Sequence, residues 1–254
     1  MAIVIGTAGW SIASRNAAPF PAEGSALERY ATRFCGVEIN SSFYRSHRRT
    51  TWERWAASVP ETFRFSVKAL KSITHERRLV DCDELLAAHI DEASGLGGKL
   101  AVHLVQLPPS LAFDEPSANR FFAMFRSATS AGIACEPRHP SWFEPAADAL
   151  LERHRVARVA ADPARVPEAA APAGWPGLVY YRLHGSPVMY RSSYSDKALA
   201  AYGTSLLAAS ERGDAWCMFD NTLGAAATEN ALDLIERLRL LQGERGRSLP
   251  LSSS

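Results

Sequence analysis

Eight short apolar runs recur along the chain at intervals of roughly 30 residues, the length of one strand plus its crossover helix, and nearly every run closes on polar or charged side chains. They are AIVIG from Ala2, VEIN from Val37, FRFSVK from Phe63, KLAVHLVQ from Lys99, IACEP from Ile133, VARVAAD from Val156, LVYYRLHG from Leu178, and WCMFDN from Trp216, which opens at Ala215. Most are apolar on both alternating faces. Strands of that kind sit with helices on one side and a packed core on the other. The pattern predicts the α/β class and a single-domain (β/α)8 TIM barrel, whose chemistry gathers at the C-terminal ends of the strands. An open doubly wound sheet would carry a glycine-rich phosphate turn after the first strand. GTAGWS lacks the GxGxxG spacing, so that fingerprint is absent.

The segments between the runs carry helix signals. Ser25 with Glu28 reads as a capping box, and Thr50 with Glu53 repeats the pattern. Asp114 reads as an N-cap with Pro116 in the first turn. Ala227, Ala231, Leu234, Leu238 and Leu241 form the apolar stripe of a last helix. The stretch after Asp162 holds Pro163, Pro167, Pro172 and Pro176, so the sixth helix is expected to be short or replaced by a proline-rich loop. That loop reads as a lid or a variable insertion. The barrel domain is assigned to residues 1–242 and a flexible C-terminal tail to 243–254.

Composition removes several classes of function. The formal net charge is +1, so no overall basic field advertises nucleic acid. Cys35, Cys82, Cys135 and Cys217 form no CxxC pair, which fits reduced thiols rather than a disulfide framework or zinc ribbon. The chain shows neither a signal-peptide pattern nor a membrane-length apolar stretch, and a cytoplasmic location with no membrane partner is expected. Oligomeric state is left open.

The strand ends carry the candidate chemistry. Trp10 follows two glycines after the first strand and reads as a ligand wall or a packed turn residue. Glu38 and Asn40 share one face of the second strand by period two, with Phe43, Tyr44 and Arg45 beyond. Lys68 closes the third strand and His75 follows. A lysine there binds phosphate, acts as a base, forms a Schiff base if desolvated, or simply pairs with a carboxylate. Gln106 faces the mouth before Pro108 and Pro109, and His103 reads as a core histidine. The densest cluster is EPRHPSW, with Glu136, Arg138, His139 and Trp142. Asp162 closes the sixth run, Arg182 and His184 the seventh, and Asp220 and Asn221 the eighth.

Glu136, Asp162, His184 and Asp220 end four neighbouring strands and form a conditional set for a divalent metal. Arg138 and Arg182 lie two residues from Glu136 and His184, and an arginine–carboxylate network without metal is the favoured reading. No cofactor is otherwise indicated.

GTAGWS, YATRFCGVEINSSFYR, TTWERWAASVPETFRFSVKALKSITH, LVQLPPS, EPRHPSW, YYRLHG and FDN, in that order from Gly6 to about Leu241, resemble the YecE-like proteins, domain of unknown function family 72. The resemblance implies a TIM barrel and no settled reaction. It implies that Glu38, Asn40, Tyr44, Lys68, His75, Gln106, Glu136, Arg138, His139, Trp142, Arg182, His184, Gly185 and Asn221 lie in typical motifs. Asp220 stands where the family usually has the first of two asparagines, which weakens a metal set that needs it.

The expectation is an enzyme of hydrolase type acting on a small anionic, phosphate-bearing ligand, with an isomerase close behind. Glu38, Lys68, His75, Glu136, Asp162 and His184 are its candidate catalytic groups. Trp10, Asn40, Tyr44, Gln106, Arg138, His139, Trp142, Arg182 and Asn221 are its candidate binding groups. The alternative is a nucleic-acid-binding barrel, either binding alone or cleaving the phosphodiester backbone, with Trp10, Phe43, Tyr44, Trp142, Tyr190 and Tyr194 as stacking platforms.

Overall fold

The computed structural model describes residues 2–247, with side chains described through residue 243. Strands and helices alternate in chain order: β1 (Ile3–Thr7), α1 (Ala26–Ala31), β2 (Gly36–Ile39), α2 (Ser41–Tyr44), α3 (Arg49–Ala57), β3 (Arg64–Lys68), α4 (Asp83–Ala93), β4 (Leu100–Gln106) and α5 (Glu115–Ala128). They continue with β5 (Gly132–Glu136), α6 (Pro145–Arg153), β6 (Val156–Arg158), β7 (Ala160–Asp162), β8 (Ala173–Gly174), β9 (Leu178–Leu183), α7 (Asp196–Ser210), β10 (Asp214–Phe219) and α8 (Ala226–Arg247). Each apolar run is a strand, except that VARVAAD divides at Val159 into β6 and β7.

Two sheets result. One runs β1-β10-β9-β7 and the other β2-β3-β4-β5-β6-β8, and every pairing is parallel except the short β6–β8 ladder. The ladder is not continuous between them. A single bridge from Ala8 to Glu38 joins β1 to β2, and the kinked run pairs with β5 through β6 and with β9 through β7. The β1–β2 approach needs glycine, because a Cβ at Gly6 would lie 2.2 Å from the Gly36 carbonyl oxygen.

Period-two alternation sorts the side chains. Val4, Val102, Leu104, Ala134, Ala157, Leu178, Tyr180, Trp216 and Met218 form one apolar cluster drawn from both sheets. The alternate positions pack under the helices: Ile5, Val37, Leu183 and Phe219 share one buried cluster with Ala231, Leu234 and Leu238 of α8. Each buried leucine of that stripe is worth roughly 1.5–3 kcal/mol relative to exposure.

The caps follow local chemistry. Ser25 and Glu28 form the reciprocal capping box of α1, and the Asp114 carboxylate accepts from Ser117 N at 3.0 Å, starting α5. Thr50 does not cap. Helix α3 starts earlier, after Arg48, which puts Thr50 inside the first turn and turns Glu53 toward Arg49 at 3.2 Å. The proline-rich stretch contains only a 3-10 turn, Pro167–Ala170, and β8. Helix α8 continues to Arg247, past the boundary expected at 242, and the rest of the expected tail, 248–254, lies outside the described residues.

Candidate functional site

Alternation aims one set of strand-end side chains together: Glu38 from β2, Ser66 and Lys68 from β3, Gln106 from β4, Glu136 from β5, Tyr180 and Arg182 from β9, then His184, and Asp220 after β10. The register is responsible. Gln106 is the cross-strand partner of Glu136, and its amide donates to Glu136 Oε2 at 2.8 Å. Leu183 pairs with Phe219, which brings Asp220 beside His184.

Arg182 is the centre and is 0% exposed. Its Nε and Nη2 donate to the two oxygens of Glu38 at 3.0 and 2.6 Å, the bidentate arrangement that guanidinium geometry favours. Nη1 donates to Glu136 Oε2 at 2.7 Å, and Nη2 also reaches Asp220 Oδ2 at 3.0 Å. His184 lies between two carboxylates, with Nδ1 at 3.0 Å from Asp220 Oδ2 and Nε2 at 3.1 Å from Glu136 Oε1. A ring nitrogen facing a carboxylate must be an N–H donor. Both nitrogens so placed favour the doubly protonated ring, although Arg182 Nη1 also lies 3.5 Å from Nε2. Arg138 adds a donor to Glu136 Oε1 at 3.1 Å, and the Tyr180 hydroxyl lies 2.9 Å from both Glu38 Oε2 and Ser66 Oγ.

Burial and ion pairing pull these groups in opposite directions, and pairing decides. Burial opposes charge on Glu136, but Arg182, His184 and Arg138 hold its carboxyl well below the usual range. Asp220 is likewise lowered, against its burial, by Arg182 and His184. The His184 ring is raised, against its burial, by Glu136 and Asp220. Three carboxylates therefore face three cations: Arg182, Arg138 and the His184 imidazolium. The cluster is close to neutral and saturated with hydrogen bonds.

Lys68 stands beside this cluster as a further charge. It is 8% exposed, its Nζ lies 4.3 Å from the centre of the Phe43 ring, and among the described residues no hydrogen bond or ion pair holds that amine. Burial, helped by the charge of Arg182, lowers it to about 8, although Glu38, Glu136 and Asp220 resist. Its backbone is fixed, since the Ser42 hydroxyl donates to the Lys68 carbonyl at 2.7 Å. His75 packs edge-on against Phe43 at 5.0 Å, and its Nδ1 lies 2.8 Å from Thr74 Oγ1. Burial first, then Lys68 and Arg138, keep this imidazole below its ordinary value.

Other candidates sit elsewhere. The conditional metal set does not converge. Ala157, Val159 and Ala161 take the interior alternation, so Asp162 falls with Arg158 and Ala160 on the helix-facing side. Glu136, His184 and Asp220 surround the Arg182 guanidinium instead, and among the described residues no group of three or more His, Cys, Asp or Glu forms a metal-binding arrangement. Trp142 is 1% exposed and packs on Phe113 and Phe122, so it is a core residue rather than a ligand contact. His139 caps the turn that follows it, accepting from Ser141 N at 3.2 Å. Asn221 is buried and donates to Ser192 O and Asn230 Oδ1, both at 2.9 Å, tying the loop after β9 to α8. Trp10 packs edge-on against Trp55 at 5.1 Å, and Tyr194 is buried with its hydroxyl accepting from Gly185 N at 2.9 Å. Tyr44 is 79% exposed at the rim, and Asn40 keeps a buried Oδ1 without a partner.

Tyr180 and Ser66 were missed by sequence reasoning. The signal was present: Tyr180 shares a face with Arg182 by period two, and Ser66 with Lys68. The space over the cluster is small. A cavity of about 20 Å³ is bounded by Glu136, Arg138, Arg165, His184 and Met189. A far larger one, about 730 Å³, opens at the other ends of the strands between Arg64, Arg126, Arg155, Trp175 and Trp216. Its carboxylate, Asp214, is engaged by Ala2 N at 2.9 Å and no imidazole lines it.

Parallel strands alternating with helices, and a buried guanidinium–carboxylate cluster at their C-terminal ends, define an α/β protein with an ion-paired centre. The chain belongs to the family described as protein of unknown function DUF72, whose sequence profile matches residues 4–252. The UPF0759 protein YunF of Bacillus subtilis strain 168 is 32% identical over 151 residues, an alignment covering 56% of this chain and 53% of that protein. The chain thus spans about half the length of the curated relatives it matches. A DUF72 family protein of Enterococcus faecalis V583 superposes with a TM-score of 0.79 at 22% identity, covering 94% of this chain and 96% of that one. A D-allulose 3-epimerase from Methylomonas sp. superposes with a TM-score of 0.54 at 14% identity, over 94% and 96% of the two chains. At these identities the structural likenesses speak for the fold alone. Among the described residues no helix is long and apolar enough to cross a membrane.

Proposed function

We propose that the two sheets together make an eight-stranded (β/α)8 barrel and that its C-terminal mouth is the active site of an enzyme for a small anionic, phosphate-bearing substrate. Support for closure comes from the Ala8–Glu38 bridge, from the run shared by β5 and β9, and from the likeness to a barrel epimerase. The observation that carries the functional reading is charge balance. Three carboxylates offset Arg182, Arg138 and His184, which leaves Lys68 as uncompensated positive charge at the mouth. Arg138, at the edge of the cluster, lines the small cavity beside it and is also engaged by Tyr190.

Proton transfer falls to Lys68 and His75. Glu136 and Asp220 are weakened as bases by their ion pairs, and His184 is held toward its doubly protonated form, which cannot accept a proton. This favours an isomerase-type proton shift over hydrolysis driven by a carboxylate-activated water. With most aromatic candidates packed inward, Tyr44 remains as an exposed ring, which favours a small ligand over a nucleic acid. A screen of sugar phosphates and other phosphate esters, read by calorimetry and turnover, tests the proposal. Arg138→Ala is expected to weaken a phosphate-bearing ligand by roughly 10- to 100-fold, the value of one to two charge-assisted hydrogen bonds. Equal affinity in Arg138→Ala and the parent, or binding only to polynucleotides, overturns it.

A further inference from the structure

We infer that Lys68 is a nucleophile that forms an imine with a carbonyl-bearing substrate at the barrel mouth. The inference rests on the mouth being the substrate site, and it narrows the substrate class to aldehydes and ketones that also carry an anionic group.

The geometry singles out this amine. The chain has four lysines against 24 arginines. Lys71 pairs with Glu76 at 3.4 Å on the surface, and Lys197 is exposed in the first turn of α7. Lys99 donates to the carbonyls of Ala56 and Val59 at 2.7 and 2.8 Å, with Glu61 at 3.4 Å. Lys68 has a largely buried side chain and an amine with no such partner, set against the face of Phe43. Lys99 is buried to a similar degree but is held by those carbonyls, and the chain's other buried cations are arginines, as at Arg158 and Arg182. An arginine cannot lose its proton and attack a carbonyl; a lysine can.

The surroundings suit the chemistry. With an acid constant near pH 8, roughly a quarter of the amine is neutral at pH 7.5, against roughly one part in a thousand for an ordinary lysine. The neutral amine donates its lone pair to the carbonyl carbon as the C=O π pair moves to oxygen. One proton passes from nitrogen to that oxygen, giving a carbinolamine. The oxygen takes a second proton from solvent acid and leaves as water, while nitrogen forms the C=N bond. The balance is amine plus carbonyl plus one proton giving iminium plus water. The iminium carries one positive charge, as the ammonium did, so Glu38, Glu136 and Asp220 favour it through the same field they exert on Lys68. If Thr74 Oγ1 donates to Leu70 O, 3.3 Å away, His75 donates Nδ1–H to Thr74 and keeps Nε2 free to relay protons.

Borohydride trapping tests this on the whole protein, with dihydroxyacetone phosphate and dihydroxyacetone as probes. Intact mass should rise by one reduced adduct, and peptide mapping should locate it on Lys68 rather than Lys71, Lys99 or Lys197. Trapping should climb through about pH 8 and disappear in both Lys68→Arg and Lys68→Met. The phosphorylated probe should label about tenfold faster, because Arg138 and the mouth's positive field concentrate it. No adduct on Lys68, or equal labelling of all four lysines, overturns the inference. Competition by inorganic phosphate separates the two readings. Phosphate ester binding without an adduct removes the imine and leaves the anion site standing. Rapid labelling by dihydroxyacetone that phosphate does not slow keeps the imine and removes the anion site.

Discussion

The two sides of the strand-end cluster bury charge in opposite ways. On the Arg182 side each carboxylate has a cation and each cation a carboxylate, at separations of 2.6 to 3.1 Å. On the Lys68 side an amine rests on a phenyl ring and an imidazole rests on the same ring, with no carboxylate among the described residues in contact with either. The first arrangement pushes proton affinities away from neutrality: Glu136 and Asp220 down, His184 up. The second pulls Lys68 and His75 down by burial, Lys68 to about 8. A saturated ion cluster holds geometry. A desolvated, unpaired amine is what the proposed imine chemistry requires. The mouth has one of each, side by side.

The largest effect expected from breaking this contrast comes from Arg182→Met. Removing the shared cation leaves Glu38, Glu136 and Asp220 buried together without their common partner, and stability should fall by about 3–5 kcal/mol. Arg182→Lys keeps the charge but loses the fork that spans the two oxygens of Glu38, and should recover only part of the loss. Urea denaturation measures both. An Arg182→Met protein as stable as the parent would show that the cluster is not a structural unit.

The carboxylates and histidines divide by pH in a way that sharpens the contrast. Glu136 and Asp220 are lowered on folding, so their contribution is present above the ordinary carboxylate range and is lost as acid protonates them. His184 is raised, so its contribution is full below about pH 6.5 and is lost as pH climbs through its folded value. His89 and His103 behave in the opposite sense. They are buried against one another, 5.5 Å apart, between β4 and the helices, with His89 Nε2 and both His103 ring nitrogens unpartnered. Burial lowers His89 to about 4 and His103 well below its ordinary value, so this pair favours folding above about pH 6.5 and costs stability as pH falls. His184→Gln should flatten the alkaline side of a pH–stability curve by about 1 kcal/mol, and His103→Phe the acidic side by a similar amount. Loss of the alkaline slope in His103→Phe instead would reverse the assignment.

The saturated side was more legible in the sequence than the reactive one. Period two on β2, β5 and β9 places Glu38, Glu136, Arg138, Arg182 and His184 on interior faces, and these are the residues that meet. The same rule applied to β7 and β10 excludes Asp162 and Asn221, which strand-end position alone had drawn in. His139 and Trp142 were drawn in by motif density, but the turn after β5 bends them away, one to cap it and one into the core. What strand patterning cannot reveal is the absence of a partner. Lys68 gains its character from Phe43, which α2 supplies, and from the lack, among the described residues, of any acidic side chain within bonding reach. That depends on how one short helix docks across a strand end, and no spacing in the sequence encodes it.

The smallest expected effect on stability is at Lys68, and its smallness is informative. An amine that held the fold together would cost several kcal/mol when removed, as a partner of a buried ion pair does. Here the amine is desolvated without a contact partner, so Lys68→Met exchanges a charge for an apolar chain of similar length over the same Phe43 ring. Stability should stay within about 0.5 kcal/mol of the parent or rise, the range of substitutions that break no packing or pairing. His75 should respond as well. Lys68 is the largest charge acting on it, so its proton affinity should move up toward the ordinary value when that charge is gone, which NMR titration of the ring reads directly. A Lys68→Met protein that unfolds readily, with His75 unmoved, would mean that the amine belongs to the saturated side after all and that the two halves of the mouth are one network.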